Sequence, residues 1–157
     1  MKNILIFGAG SIGNHMAYAC RKLGLSVHIT DIDPDALIRM KKKIYPKRYE
    51  KWDNKINILN INEINKINIP FELIIVGTPP ETHFNLCKFI KDNLKYKKIL
   101  IEKPIINYSN KNINALKKIC KNDLVFCGYN HSISPAFLYF VRKISLVRKI
   151  KSVQVNW

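Results

Sequence analysis

The sequence predicts an α/β domain built on a doubly wound, mostly parallel sheet, and two observations carry that prediction. Short apolar runs without a clean two-residue alternation recur between stretches whose apolar residues are spaced three and four apart. Strands buried on both faces alternate in this way with the helices that cover them. The second observation is a glycine turn, Gly8-Ala9-Gly10-Ser11-Ile12-Gly13, set directly between the first apolar run and the first helical stretch. With 157 residues, 47% of them hydrophobic, the chain can bury one full core, or one core and the start of another domain.

The first strand is Asn3–Phe7, a fully apolar stretch bar its first residue. Ile12, Met16, Ala19, Cys20 and Leu23 then fall at helical spacing, and Gly24 after Arg21 and Lys22 is a helix stop. Residues 25–31 read as a second strand, completing a β-α-β unit, whose parallel strands require the crossover helix. Asp33 and Pro34 open a Lys- and Arg-rich helix to about Tyr45, and the Asn/Ile-rich segment after it holds a short strand near residues 56–59 and one helical turn. Residues 71–78 form a strand and 79–94 a helix with Phe84, Leu86, Cys87, Phe89, Ile90 and Leu94 as its apolar positions. Residues 97–102 are the next strand, followed by a helix over 109–122 with Ser109 as its cap. A sixth strand spans 123–130, and a helix begins at Pro135, a favoured first-turn residue, with Ser134 as cap. The last segment breaks the scheme: Val153, Val155 and Trp157 alternate with polar residues, as in a half-exposed antiparallel strand.

Net charge is +16, from 27 Lys and Arg against 11 Asp and Glu. The positive charge is mostly Lys spread along the chain, and only residues 40–51, MKKKIYPKRYEK, are dense in it. With Tyr45, Tyr49 and Trp52 nearby this stretch has the outline of a basic patch with aromatics. Overuse of Lys, Asn and Ile throughout the chain explains the charge without a nucleic-acid partner, and none is expected. No window holds about 18 uninterrupted apolar residues and no secretory cleavage pattern opens the chain, so a cytoplasmic protein without a membrane span is expected. Cys20, Cys87, Cys120 and Cys127 form no C-x-x-C pair and sit among apolar neighbours; buried thiols are expected, with no disulfide and no metal site.

The glycine turn carries chemistry. A G-x-G-x-x-G sequence after a strand and opening a helix offers Gly8 for the tight turn, Gly10 for close approach of backbone to a pyrophosphate, and Gly13 for close helix packing. The free N–H groups at the helix start receive the anion. Asp31 closes the second strand about 20 residues on, where a carboxylate accepts hydrogen bonds from the adenosine ribose hydroxyls. That carboxylate repels a 2′-phosphate, and Ile32-Asp33-Pro34 offers no arginine to receive one, with Arg39 a turn or more too far along. NAD is therefore the expected cofactor.

Three further motifs end the fourth, fifth and sixth strands: GTPPETH (Gly77 to His83), EKP (Glu102 to Pro104) and GYN (Gly128 to Asn130), the last followed by Pro135. Together with GAGSIG they resemble the Gfo/Idh/MocA family of NAD(P)-dependent oxidoreductases, in order and in approximate spacing, over essentially the whole chain. The resemblance implies a Rossmann domain over residues 1–130 and, over 131–157, a linking helix and the first strand of a substrate-binding and oligomer-forming α/β domain that is otherwise absent. It matches Gly8, Gly10, Ser11, Ile12, Gly13 and Asp31 to the cofactor-binding turn and ribose acid, and Thr78, Pro79 and His83 to the segment along the cofactor's middle. Glu102 and Lys103 match the catalytic pair beside the nicotinamide, and Asn130 a residue near its carboxamide or the substrate. His131 departs from the family, and the family's Asp-x-x-x-His pair is not within the chain.

What the resemblance implies is the NAD(H)-binding half of an enzyme that moves a hydride between the cofactor and a sugar, sugar-nucleotide, cyclitol or related hydroxy compound. A stand-alone dinucleotide-sensing module is the alternative, and it has no need of EKP or GTPPETH. On the residues alone, His83 also reads as a helix-surface histidine, Asn130 as a turn residue and Pro79-Pro80 as a strand stop. For Lys103 partial desolvation at the strand end is expected, and the Lys103–Pro104 bond is open to cis or trans.

Overall fold

The computed structural model describes residues 2–106, 113–122, 125–129 and 134–146. Six strands form one parallel sheet: β1 (Asn3–Phe7), β2 (Ser26–Thr30), β3 (Ile56–Ile58), β4 (Leu73–Val76), β5 (Ile99–Ile101) and β6 (Val125–Cys127). Their order is β3-β2-β1-β4-β5-β6, with β1 pairing in parallel to both β2 and β4. The chain winds outward from β1 in one direction through β3, then crosses to β4 and winds the other way. The reversal between β1 and β4 is where a doubly wound sheet opens a crevice beyond the carboxyl ends of its strands.

Helices cover both faces. Successive strand residues face opposite sides, so Ile4 and Ile6 enter one core with Ala17, Cys20, Leu37, Met40 and Tyr45. Leu5 and Phe7 enter the other with Ile64, Cys87, Ile90, Ile101 and Leu116. This two-sided burial explains why the strands lack an apolar–polar alternation.

The helices are α1 (Ser11–Lys22), α2 (Pro34–Arg39), α3 (Tyr45–Tyr49), α4 (His83–Asn93), α5 (Ile113–Asn122) and α6 (Pro135–Ile144). In α1 the buried face differs from the expected one: Gly13, Asn14, Ala17 and Cys20 face the sheet, while Ala19 is exposed and Leu23 is 76% exposed. Small residues let the helix lie close on the sheet, and a stripe of small residues carries little hydrophobic signal. The helix expected to stop near Tyr45 continues to Tyr49 through a π-helical turn, Met40–Ile44, in which the Tyr45 N–H reaches back to the Met40 carbonyl. Pro46 explains that turn, since it brings no N–H and its ring would crowd the carbonyl four residues back in a regular helix.

β1 has the expected bounds, whereas β2, β3, β4 and β5 are each one to four residues shorter than their expected runs. Phe71 makes only an isolated bridge to Tyr96, and Gly77 leaves the ladder after its N–H reaches the Phe7 carbonyl at 2.9 Å. The helical turn expected after β3 is a 3-10 helix, Ile61–Lys66. The Pro79-Pro80 segment enters α4 through another, Pro80–Thr82. Ser134 caps α6 as expected, its hydroxyl accepting from the Phe137 N–H at 3.2 Å. Ser109, Asn130, His131 and the alternating segment 150–157 lie outside the described residues. Cys20 and Cys87 are buried and Cys127 is half-buried; the Cys120 side chain is not among those described. Among the described residues no helix is long and apolar enough to cross a membrane.

Candidate functional site

A cleft of about 890 Å³ opens over the carboxyl ends of β1, β2 and β4, lined among others by Gly8, Gly10, Asp31, Asp33, Thr78 and Pro79. Ala36, Ile61, Leu86 and Phe89 give it an apolar wall. The Gly8 to Gly13 turn forms its floor, and its geometry depends on its glycines. Gly8 has φ +105°, and a Cβ on Gly13 would lie 1.9 Å from the Gly8 carbonyl oxygen. Gly10 differs, since a Cβ there would meet nothing within 4 Å. Packing within the chain does not require that glycine; it leaves open space over the turn, inside the cleft.

Helix α1 starts at Ser11 with Gly10 as N-cap, no side-chain cap and no acid in the first turn. The Asn14 N–H reaches the Gly10 carbonyl at 3.1 Å, so the Ser11, Ile12 and Gly13 N–H groups precede the first intrahelical bond. Open space above Gly10 and outward-facing donors at a positive helix end fit a diphosphate.

Asp31 holds this arrangement in place. One carboxylate oxygen accepts from the Ala9 N–H at 2.7 Å and the other from the Asp33 N–H at 2.9 Å. A carboxylate has about four lone-pair sites, so capacity remains for two ribose hydroxyls. Asp33 caps α2 and accepts from the Arg39 Nη2 at 3.0 Å; this hydrogen bond is the main reason its carboxyl is held below the usual range. Arg39 thus comes back to the cleft's rim, which its distance in sequence did not suggest, but it meets a carboxylate there.

The other expected site residues are distributed less evenly. Ser11 is exposed at the helix start, and Ile12 packs over Gly77, 3.4 Å from where a Cβ would stand. Thr78 and Pro79 line the cleft. His83 does not: it is 0% exposed, and its ring spans two backbone carbonyls, Nδ1 to Ile105 and Nε2 to Thr78, both at 2.8 Å. His83 joins the Thr78 segment to the loop after β5. Replacing it by Ala empties a fully buried position and leaves the half-buried Thr78 and Ile105 carbonyls without the ring N–H they flank, at about 1–3 kcal/mol for the lost hydrogen bond and more for the space the ring filled. Urea unfolding of His83→Ala is expected to show a loss of ~2–4 kcal/mol, and a loss below ~1 kcal/mol would remove that role.

Glu102 and Lys103 separate. Glu102 is 5% exposed and lies against the end of β6, where a Cβ on Gly128 would be 2.8 Å from its Oε1. Its Oε2 accepts from the Lys103 N–H at 3.4 Å, and Oε1 has no partner among the described residues. Burial, and secondarily the Glu102 charge, push the Cys127 thiol up. Glu102 of EKP and Gly128 of GYN are therefore packed on each other. Lys103 is exposed at the carboxyl end of β5, which corrects its expected partial desolvation, and its bond to Pro104 is cis.

Three residues of the site were not anticipated. Asn14 is fully buried and donates to the Ala9 and Gly10 carbonyls at 3.1 and 2.8 Å, bracing the turn from beneath. Its spacing to Ala17 and Cys20 was the available signal. Thr30 is fully buried and lines the cleft. Arg48 donates to Ser11 from a segment distant in sequence.

The family model described as an oxidoreductase family with an NAD-binding Rossmann fold, GFO_IDH_MocA, matches residues 2–131. The chain belongs to this Gfo/Idh/MocA family. The matched region is the family's NAD-binding domain, and NAD is its cofactor. No curated protein matches the chain significantly. Solved structures agree on the fold. The UDP-N-acetylglucosamine 3-dehydrogenase GnnA of Acidithiobacillus ferrooxidans aligns with TM-score 0.63 at 15% identity, over 90% of this chain and 41% of its own. GenD2 from gentamicin A biosynthesis, solved with NAD, aligns with TM-score 0.67 at 16% identity, over 94% and 39%. The myo-inositol dehydrogenase of Lactobacillus casei, solved with NAD(H) and myo-inositol, gives 0.67 at 14%, over 92% and 41%. The chain spans about two fifths of the length of these neighbours.

Proposed function

We propose that the chain is the NAD(H)-binding half of an oxidoreductase acting on a sugar, sugar nucleotide, cyclitol or related hydroxy compound. The observation that carries this reading is the open space over Gly10, framed by the start of α1 and the Asp31 carboxylate. The α1 N–H groups bind the diphosphate, Asp31 takes the adenosine ribose hydroxyls, and Thr78 and Pro79 guide the chain of the cofactor toward the end of β5. When bound, the nicotinamide supplies the hydride chemistry, while the protein sets its position. Exposed Lys103 orients the substrate hydroxyl and assists its proton, with Glu102 fixing the loop from beneath and Asn130 serving near the carboxamide.

Residues 131–157 lead into a substrate-binding and oligomer-forming domain beyond the 1–130 unit. In support, α6 has no buried residue and presents Phe137, Leu138, Tyr139, Phe140 and Val141 to solvent. The free thiols of Cys20 and Cys127 suit a cytoplasmic setting. NADH titration of the chain is expected to give saturable binding. NADPH is expected to bind at least about tenfold more weakly, because its 2′-phosphate would meet Asp31 and Asp33. Absence of saturable binding, or a preference for NADPH, would overturn the reading.

A further inference from the structure

The dense basic stretch at residues 40–51 is not a free solvated face, because its aromatic residues dock it on α1. Tyr45 is 2% exposed. Tyr49 stacks on Tyr18 with centroids 3.8 Å apart and planes 4° from parallel. The Tyr49 hydroxyl pairs with the His15 ring, and Tyr45 sits edge-on to both Tyr49 and Trp52. These contacts place α3 beside the first turns of α1.

The residue they deliver is Arg48. Its Nη1 donates to the Ser11 carbonyl at 3.2 Å and its Nη2 to the Ser11 hydroxyl at 3.0 Å. Ser11 is the first residue of α1, at the N–H groups that lack intrahelical acceptors. Among the described residues Arg21 is paired with Asp53 and Arg39 with Asp33, whereas no carboxylate is within ion-pair distance of Arg48. The α1 first turn holds no acid either. A guanidinium has five N–H donors in a planar fork suited to phosphate oxygens, so donors remain after Ser11 is served.

We propose that Arg48 is a diphosphate-binding residue, brought by the α2–α3 segment to the glycine turn and held in place by Ser11. The proposal rests on the reading that this turn binds the diphosphate of a dinucleotide. The Ser11 hydroxyl, accepting from Arg48, keeps its own proton for the same anion. The basic run is then an addition to the cofactor site, and its charge acts on a phosphate group without any nucleic acid.

The test compares wild type, Arg48→Ala and Arg48→Lys in titrations with NADH, ADP-ribose and adenosine, alongside thermal melts without ligand. Arg48→Ala is expected to weaken NADH and ADP-ribose by about tenfold or more, the scale of one charge-assisted hydrogen bond. It should leave the adenosine affinity and the melting temperature unchanged, and its NADH affinity should depend less steeply on salt than that of wild type. Arg48→Lys should recover part of the loss. Wild-type NADH affinity in Arg48→Ala would overturn the proposal, as would an equal loss for adenosine, which has no phosphate and would report a displaced turn. If wild type itself fails to bind NADH and ADP-ribose, the reading of the turn falls, and the proposal with it.

Discussion

Gly13→Ala is expected to lose NADH binding by at least about 100-fold and to destabilise the fold by ~3 kcal/mol or more. The added Cβ would stand 1.9 Å from the Gly8 carbonyl oxygen. That oxygen belongs to backbone in the same turn, at a residue already held at φ +105°, so no side chain can swing aside. Relief requires α1 to withdraw by on the order of 1 Å, a misplacement that commonly costs about 100-fold when a site depends on position. Gly10→Ala provides the contrast. Its Cβ meets nothing within 4 Å, so the melting temperature should stay at the wild-type value while NADH affinity falls at least ~10-fold, because the methyl group occupies the diphosphate's space. Equal behaviour of the two variants, both stable and both binding, would remove the turn from the cofactor site. Urea unfolding and NADH fluorescence titration read the two effects separately.

The parts of this site legible from the sequence are those fixed by backbone geometry and short spacing. A strand, a glycine turn and a helix in succession specify one local structure, and Asp31 follows at a distance set by the β-α-β unit. Parallel pairing of β1 with β2 and β4 then brings Asp31, Gly10 and Thr78 to one cleft. What remained hidden depends on contacts between distant segments or on polar groups in buried places. His83 looks like a helix-surface residue until the loop after β5 brings the Ile105 carbonyl to it. The basic run reads as composition until Tyr49 is seen on Tyr18. The buried stripe of α1 was misplaced because Gly13, Asn14 and Ala17 approach the sheet through small size and hydrogen bonding, whereas helical periodicity registers bulk hydrophobicity.

Asp31 combines both kinds of information, and its replacement is expected to have the second large effect. Sequence gives it one role, accepting the ribose hydroxyls; the structure adds another, since the same carboxylate accepts from the Ala9 and Asp33 N–H groups. Hydrogen bonds to a charged group contribute about 1.5–3 kcal/mol each. Losing two toward the ribose in Asp31→Ala should therefore weaken NADH by at least roughly 100-fold. Asp31→Asn keeps size and one acceptor oxygen but no charge, and should fall about tenfold short of wild type. The ratio of NADPH to NADH affinity should rise in both variants, because one of the two carboxylates facing a 2′-phosphate is gone, while Asp33 remains to keep the preference from reversing. Stability should drop modestly in Asp31→Ala, by ~1–2 kcal/mol, as the Ala9 and Asp33 donors lose their acceptor. An Asp31→Ala protein that binds NADH within threefold of wild type would show that the carboxylate shapes the turn without contacting the nucleotide, and the predicted cofactor selectivity would then have to come from Asp33 and the Arg39 bound to it.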